Sequence, residues 1–132
     1  MNGDDFINLA GKLATSRDEA SLRSAVSRAY YGAFHLALAF LEDIERTVPR
    51  NANAHVQVAR KLQSAGQSDA YRAGSLLRDL HTERIKADYR LDNRRIGTSA
   101  FAKLCVETAS EIQSALKSCR AEPARSEIKA RL

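Results

Sequence analysis

Apolar residues recur at three- and four-residue spacing along most of this chain, which is the period of an amphipathic helix. The spacing predicts helices with these approximate bounds: Asp4 to Ala14, Asp18 to Arg46, Asn53 to Ala65, Ser68 to Tyr89 and Thr98 to Ser118. We therefore expect an all-α protein, an antiparallel four- to five-helix bundle over residues 1–120. The charged segment 121–132 is expected to be a frayed or separately helical tail.

Local signals mark several boundaries of these helices. Ser16 and Glu19 are spaced for a capping box at the start of the second helix, Pro49 follows its end, and Gly66 suits a left-handed turn after the third. The second helix is apolar nearly all round in its C-terminal half, which predicts that it is the central and most buried helix.

Composition agrees with a helical protein and gives no sign of a membrane segment. Hydrophobic residues make up 44% of the chain and aromatic residues only 6%, so small and aliphatic helix formers dominate. No apolar run approaches the roughly 20 residues that span a bilayer. The acidic start of the chain differs from a basic signal peptide, so we expect a cytoplasmic protein without membrane contact.

The two cysteines are expected to be buried and reduced. Cys105 and Cys119 lie 14 residues apart in one predicted helix. That spacing separates them by about 21 Å along the axis, too far for a disulfide. No His stands beside them at ligand spacing, and the chain has no glycine-rich phosphate loop. We expect no metal and no cofactor.

Charge is distributed unevenly along the chain, whose net charge is +5. Residues 1–46 hold five basic and seven acidic residues, whereas residues 47–95 hold ten basic and five acidic residues. A basic half suits a polyanionic partner such as RNA or a nucleotide. A solvated basic surface that only aids solubility is the alternative.

One arginine interrupts an apolar stripe of the fourth helix. The stripe consists of Ala73, Leu77, Leu80, Arg84, Ala87 and Leu91. A guanidinium keeps its charge, so an inward-facing arginine requires a carboxylate, a phosphate or backbone carbonyls. Arg84 therefore marks a binding site or a structural ion pair.

The second helix has a polar face of its own. Arg28, Tyr31 and His35 share one side, and antiparallel packing would place them near Arg84 and Asp88 of the fourth helix. Either this group is a functional site or it is a hydrogen-bonded core cluster that fixes helix register.

Three segments resemble the HEPN family, the higher eukaryotes and prokaryotes nucleotide-binding domain. Residues 27–35, Ser-Arg-Ala-Tyr-Tyr-Gly-Ala-Phe-His, resemble its second-helix signature. Residues 84–89, Arg-Ile-Lys-Ala-Asp-Tyr, resemble the Arg-x-Lys-Ala-Asp-Tyr box of one prokaryotic branch. Residues 54–56, Ala-His-Val, are similar to a Ser-His-x-x-Val segment of that branch. The resemblance extends from about residue 5 to 118.

The resemblance implies a four- or five-helix bundle, commonly a homodimer, that binds RNA or nucleotides. Many family members are metal-independent endoribonucleases of toxin–antitoxin, CRISPR-associated or other defence systems, and some pair with a nucleotidyltransferase. By this resemblance, the candidate RNA- or nucleotide-binding residues are Arg28, Tyr31, Arg84, Lys86 and Tyr89.

Catalytic family members carry an Arg, then four to six intervening residues, then a His, and this chain departs from that pattern after Arg84. Asp88 and Tyr89 follow Arg84, with no His. Literal matches to this spacing occur elsewhere, from Arg50 to His55 and from Arg28 to His35. The catalytic candidates are Arg84, Asp88, His35 and His55.

Three functions therefore remain open from the sequence. The first is an RNA- or nucleotide-binding domain, and the second is a helical interaction module such as an antitoxin or subunit. The third is a ribonuclease with a divergent site.

Overall fold

A computed structural model describes all 132 residues, and every regular element in it is a helix. The helices are α1 (Gly3–Leu13), α2 (Glu19–Asp43), α3 (Ala54–Gln63), α4 (Ser68–Tyr89), α5 (Ser99–Arg120) and α6 (Ala124–Arg131). The all-α prediction is confirmed, and the bounds of the first five helices lie within three residues of those predicted. None of the six helices is both long and apolar enough to cross a membrane.

Contacts between neighbouring helices show that the bundle is antiparallel. On α2 and α4, Tyr30 lies against His81 while Ser27 reaches Asp88, so the two helices run in opposite directions. On α4 and α5, Arg72 pairs with Glu111, and Cys119 lies close to Gln67 just before α4. These contacts place α2 and α4 side by side.

The central helix is α2, as its nearly continuous apolar character predicted. It packs against α1, α3, α4 and α5 and contributes the largest share of the buried core. Gly32 lets α1 approach closely, because a Cβ there would lie 2.6 Å from Ile7 Cγ1 and 2.8 Å from the Gly3 carbonyl oxygen. Gly74 likewise faces the Ala59 carbonyl oxygen of α3. Both glycines are close-packing points, as predicted.

The start of α2 is built differently from the predicted capping box. Asp18 is the N-cap, and its carboxylate accepts from the backbone N–H of Ser21. Ser16 instead accepts from the N–H of Asp18, so it shapes the loop before the helix. The prediction of a Ser16–Glu19 box was wrong because Asp18 is itself a strong N-cap two residues later.

The C-terminal end of α2 also differs from expectation, whereas α4 ends at Tyr89 as predicted. At the end of α2, Glu45 adopts φ 63°, and the N–H of Arg46 bonds to the Leu41 carbonyl, which closes the helix before Arg46. Gly66, after α3, has φ 73° as predicted. Leu91 follows the end of α4 and is 69% exposed, so it does not continue the buried stripe.

The segment 121–132 contains a short helix that lies on the bundle. Ile128 of α6 is fully buried, and Lys129 pairs with Glu45 at 2.9 Å. Arg46 donates to the Lys129 carbonyl oxygen at 2.6 Å. Of the two alternatives for the tail, the structure has the helical one.

Both cysteines are buried and unpaired, as predicted. Burial raises the pKa of the Cys105 thiol to about 12 and that of Cys119 to about 11. At neutral pH both are therefore thiols rather than reactive thiolates.

Candidate functional site

The antiparallel contact of α2 with α4 brings the polar residues of both helices into one pocket of about 290 Å³. From α2 come Arg28, Tyr31 and His35, and from α4 come Arg84 and Asp88. Phe6 of α1 and Ser27 of α2 complete its walls. We call this the α2–α4 pocket.

Arg84 is held by an aromatic ring and by one carboxylate. Its Nε lies 3.0 Å from Asp88 Oδ2, and its Cζ lies 5.1 Å from the centre of the Tyr31 ring. Ser27 donates to the same Asp88 oxygen at 3.4 Å. The Arg84 Nε is itself buried without an aligned hydrogen-bond acceptor. Arg84 lines the pocket, and neither of its terminal Nη groups has a hydrogen bond within the chain, so these groups are the donors left for a ligand.

Arg28 holds the second guanidinium of the pocket and makes no ion pair within the chain. Its Cζ lies 5.0 Å from the centre of the Phe6 ring and 5.3 Å from that of Tyr31. Cation–π contacts orient the side chain without neutralising it. Arg28 and Arg84 both lie against Tyr31, and Asp88 is the only carboxylate that lines the pocket, so the pocket carries a net positive charge.

His35 borders the α2–α4 pocket and is neutral at pH 7. Partial burial, and then the positive charges of Arg50 and Arg28, lower its pKa below the usual 6.5. A neutral imidazole has one donor and one acceptor nitrogen. His35 makes no hydrogen bond within the chain, so both of its nitrogens are available.

Lys86 and Tyr89, two other predicted binding residues, do not line the pocket. Lys86 points to the opposite side of α4, where its Nζ lies 3.9 Å from Glu83. Tyr89 is 71% exposed at the end of α4, and its ring lies 5.9 Å from the Arg84 Cζ. Tyr89 is therefore at the rim, and of the six-residue box only Arg84 and Asp88 face the pocket.

A cluster of aromatic and histidine rings lies directly behind the pocket. Tyr30 is fully buried, and its hydroxyl is hydrogen-bonded to Nδ1 of His55 on α3. The His81 ring of α4 stacks on His55, with centroids 4.8 Å apart and planes 9° from parallel. The sequence analysis did not place Tyr30 and His81 together with His55, because the position of α3 relative to α4 is not encoded in either helix alone.

Burial sets the protonation of this cluster. It raises the pKa of the Tyr30 phenol far above 10, and it lowers the pKa of His55 and His81. The positive charge of Arg84 lowers both histidine pKa values further. At neutral pH the cluster is uncharged, and the Tyr30 hydroxyl and His55 Nδ1 share one hydrogen bond.

A second pocket, of about 200 Å³, opens between α2 and the start of α3, and we call it the α2–α3 pocket. His35 and Tyr31 line it as well, so it adjoins the α2–α4 pocket. Arg50 and His55, which share the Arg/His spacing, both line it. Arg50 is fixed at its edge by an ion pair with Glu42 at 2.8 Å.

Arg23 is the buried arginine that the sequence analysis missed. Only 6% of it is exposed, and its guanidinium donates to carbonyl oxygens at the end of α4 and in the following loop. The distances are 3.1 Å to Ala87, 3.2 Å to Arg90, 3.3 Å to Leu91 and 2.7 Å to Asn93. It thus satisfies carbonyls that α4 cannot bond internally and holds the segment that carries Asp88 and Tyr89. Its position in a stripe with Ser27, Tyr30 and Phe34 is the signal that would have identified it.

The arrangement supplies anion-binding groups rather than metal ligands. No three His, Cys, Asp or Glu side chains come together in a metal-binding arrangement. Two guanidiniums and neutral imidazoles can instead hold a phosphate and donate to or accept from its substituents.

Comparison with known proteins identifies no relative. No protein-family model, no curated protein and no solved structure matches this chain.

Proposed function

We propose that this protein is a HEPN-like domain that binds RNA or a nucleotide through a phosphate held in the α2–α4 pocket. The single observation that carries the proposal is the pair of guanidiniums of Arg28 and Arg84, which lie 5.3 Å and 5.1 Å from the centre of the Tyr31 ring in a pocket that holds one carboxylate. Arginine guanidiniums present paired donors that match phosphate oxygens.

Two further features support a nucleic acid over an arbitrary anion. Aromatic rings of Phe6, Tyr31 and the exposed Tyr89 accompany the charges, and bases stack on such rings. The middle of the chain, residues 47–95, also carries the positive charge excess, which extends the field around the pocket.

An RNA-binding measurement tests this proposal. The probe is a labelled single-stranded RNA of about ten nucleotides, and its binding is followed by fluorescence anisotropy over a series of salt concentrations. The affinity is expected to fall as the salt concentration rises. Each phosphate of a single strand that the protein neutralises contributes about −0.7 to the slope of log affinity against log salt concentration. Arg28→Ala and Arg84→Ala should each weaken binding about tenfold and reduce the slope by about 0.7.

Arg60→Ala is the matched control, because Arg60 is an exposed arginine on α3 without an ion pair and away from both pockets. No binding at about 50 mM salt would overturn the proposal. The same holds if the Arg60 variant loses as much affinity as the two pocket variants.

We infer that the domain lacks the Arg/His ribonuclease pair typical of the resembled family. Asp88 and Tyr89 follow Arg84, and Asp88 is engaged with Arg84 itself. A divergent ribonuclease is the second candidate, favoured by one observation: Arg50, His35 and His55 line a common pocket. Incubation of the purified protein with total RNA in EDTA tests it. Intact RNA, with no difference between wild type and His55→Gln, would remove this candidate.

The proposal also includes a homodimer and a role in a bacterial toxin–antitoxin or related defence pair with a nucleotidyltransferase partner. Exposed apolar side chains at the end of α4, Ile85, Tyr89 and Leu91, favour a protein contact beside the pocket. The alternative role, a helical interaction module without a ligand, makes a distinct prediction. Arg84→Ala should then convert a dimer into a monomer by light scattering while RNA binding is absent in wild type as well.

A further inference from the structure

The loop that follows α4 carries a second group of arginines. Residues 90–95, which we call the 90–95 loop, hold Arg90, Arg94 and Arg95 against one acidic residue, Asp92, and all four are exposed. Arg95 is engaged by other side chains, since it lies 4.7 Å from the centre of an aromatic ring and 3.9 Å from a carboxylate. The side chains of Arg90 and Arg94 form no hydrogen bond or ion pair within the chain. These two are the free guanidiniums of the loop.

Arg23 fixes the shape of this loop from below. Its guanidinium donates to the carbonyl oxygens of Ala87, Arg90, Leu91 and Asn93, at distances of 2.7 to 3.3 Å. Because one guanidinium reaches all four oxygens, the loop folds back against the end of α4 instead of extending away from it. Ile96 is fully buried and anchors the other end of the loop. A loop that is already held in one shape loses little conformational entropy when a ligand binds to it.

The 90–95 loop adjoins the α2–α4 pocket. Arg23 precedes Ser27 by four residues, or about 6 Å along α2. The Ser27 hydroxyl in turn donates to Asp88, and both residues line the pocket. The loop held by Arg23 therefore begins at the end of the pocket that Ser27 and Asp88 form.

Tyr89 lies between the two groups of arginines. Its side chain is 71% exposed, its ring centre lies 5.9 Å from the Cζ of Arg84, and Arg90 follows it directly in the chain. An exposed ring among positive charges suits a single strand, because bases stack on the ring while the charges hold the phosphates. Bases within a duplex are stacked on one another and are not open to such a ring.

We propose that single-stranded RNA continues from the α2–α4 pocket over Tyr89 to the 90–95 loop, where Arg90 and Arg94 bind further phosphates. This inference rests on the proposed function, because the phosphate in the pocket fixes where the strand begins. It makes the ligand an oligonucleotide of several residues, since a free nucleotide cannot occupy both the pocket and the loop.

Anisotropy titration of the full-length protein with the labelled RNA of about ten nucleotides tests the path of the strand. Arg90→Ala and Arg94→Ala should each weaken binding about threefold to tenfold and reduce the slope of log affinity against log salt concentration by about 0.7. In the double variant Arg84→Ala, Arg94→Ala the two slope reductions should add, because one RNA molecule contacts both sites. Arg60→Ala is again the matched control and should keep both affinity and slope.

Tyr89→Ala should weaken RNA binding about fivefold to tenfold and leave the slope nearly unchanged, because stacking on a ring neutralises no phosphate. Tyr71→Ala is the matched control, since Tyr71 is 57% exposed in the first turn of the same helix. It should keep the affinity of the wild type.

Adenosine 5′-monophosphate separates the pocket from the loop, because it carries a single phosphate. Its affinity, measured by NMR titration, should fall in Arg84→Ala and stay unchanged in Arg90→Ala and Arg94→Ala. An equal loss in the two loop variants would overturn the inference.

The possible results distinguish this inference from the proposed function. Unchanged RNA binding in both loop variants, or an equal loss in Arg60→Ala, overturns the path; the pocket stands if Arg84→Ala still weakens binding. A loss in the loop variants alone, with Arg28→Ala and Arg84→Ala unchanged, overturns the pocket and the path that begins in it. No RNA binding overturns both. If the protein then pellets with vesicles of phosphatidylserine and phosphatidylcholine, the loop is a membrane contact instead.

Discussion

The Nε of Arg84 lies 3.0 Å from Oδ2 of Asp88, one helical turn further along α4, and both side chains line the same pocket. The carboxylate therefore competes with any phosphate for this guanidinium. Its position makes Asp88 the residue that limits the affinity of the proposed site, and the pair is open to a direct test.

Asp88→Asn is expected to raise RNA affinity about threefold to tenfold, because it removes the one negative charge from the pocket. An asparagine Oδ1 can still accept the hydrogen bond from Ser27. Stability should change by less than about 1 kcal/mol, since partly exposed i,i+4 pairs contribute little. Anisotropy titration at low salt measures the effect. The matched control is Asp69→Asn, and unchanged or weaker binding by the Asp88 variant would contradict the prediction.

Arg23→Ala should destabilise the fold by about 2 to 4 kcal/mol. Its removal leaves the buried Ala87 carbonyl and several part-buried carbonyls of the following loop without this donor, and it leaves a cavity where the side chain was. Urea denaturation followed by circular dichroism gives the free energy of unfolding. Arg17→Ala, at an exposed position just before α2, is expected to change it by less than about 0.5 kcal/mol. Equal effects of the two substitutions would show that the Arg23 contacts are not stabilising.

Gly32→Ala and Gly11→Ala should have opposite effects on stability. A Cβ at Gly32 would meet Ile7 and the backbone of Gly3, so α1 must shift, at a cost of about 1 to 3 kcal/mol. A Cβ at Gly11 meets nothing within 4 Å, and alanine there should stabilise α1 by about 0.5 to 1 kcal/mol. Thermal unfolding of the two variants compares them directly. A destabilised Gly11 variant would be inconsistent with the described position of α1.

Stability should fall as the pH decreases below 6.5, because the pKa values of His35, His55 and His81 are lowered in the folded protein. The unfolded chain then binds protons that the folded chain does not, so acidification favours unfolding. The loss of stability begins near pH 6.5, the histidine pKa in the unfolded chain. It continues as the pH falls to the lowered pKa values of the folded chain. Above pH 7 all three histidines are neutral in the folded and the unfolded chain, so they add no pH dependence to the stability.

The melting temperature measured between pH 7.5 and 5 tests this pH dependence. In His81→Phe, which keeps a ring stacked on His55 but cannot be protonated, the slope should be shallower than in wild type. Steepening of the slope, or stability that rises on acidification to pH 5, would contradict the lowered pKa values.

The number and extent of the helices follow from local information. Hydrophobic spacing, the break at Pro49 and the left-handed turn at Gly66 each depend on residues within one or two turns, so they could be predicted from the sequence. The same spacing put Arg28, Tyr31 and His35 on one face of α2, and Arg84 and Asp88 on one face of α4. The antiparallel order of the two helices then brought these faces together.

Contacts that depend on how a helix is rotated and packed against its neighbours could not be predicted from local sequence. The stripe around Arg84 reaches Leu91 by spacing alone, but α4 ends at Tyr89, as predicted, and Leu91 is exposed in the following loop. Lys86 belongs to the same box as Arg84 yet faces Glu83 on the other side of the helix. A helix of 3.6 residues per turn separates positions i and i+2 by about 200°.

The sequence by itself thus determined the helical class, the central role of α2 and the set of polar residues that α2 and α4 turn toward one another. Only the tertiary structure decided that Arg23 is buried against the end of α4, and that Tyr30, His55 and His81 meet behind the pocket. The reason is physical: these contacts join side chains from two or three helices, and their existence depends on crossing angles and close approaches at glycines. No single helix carries that information in its own pattern.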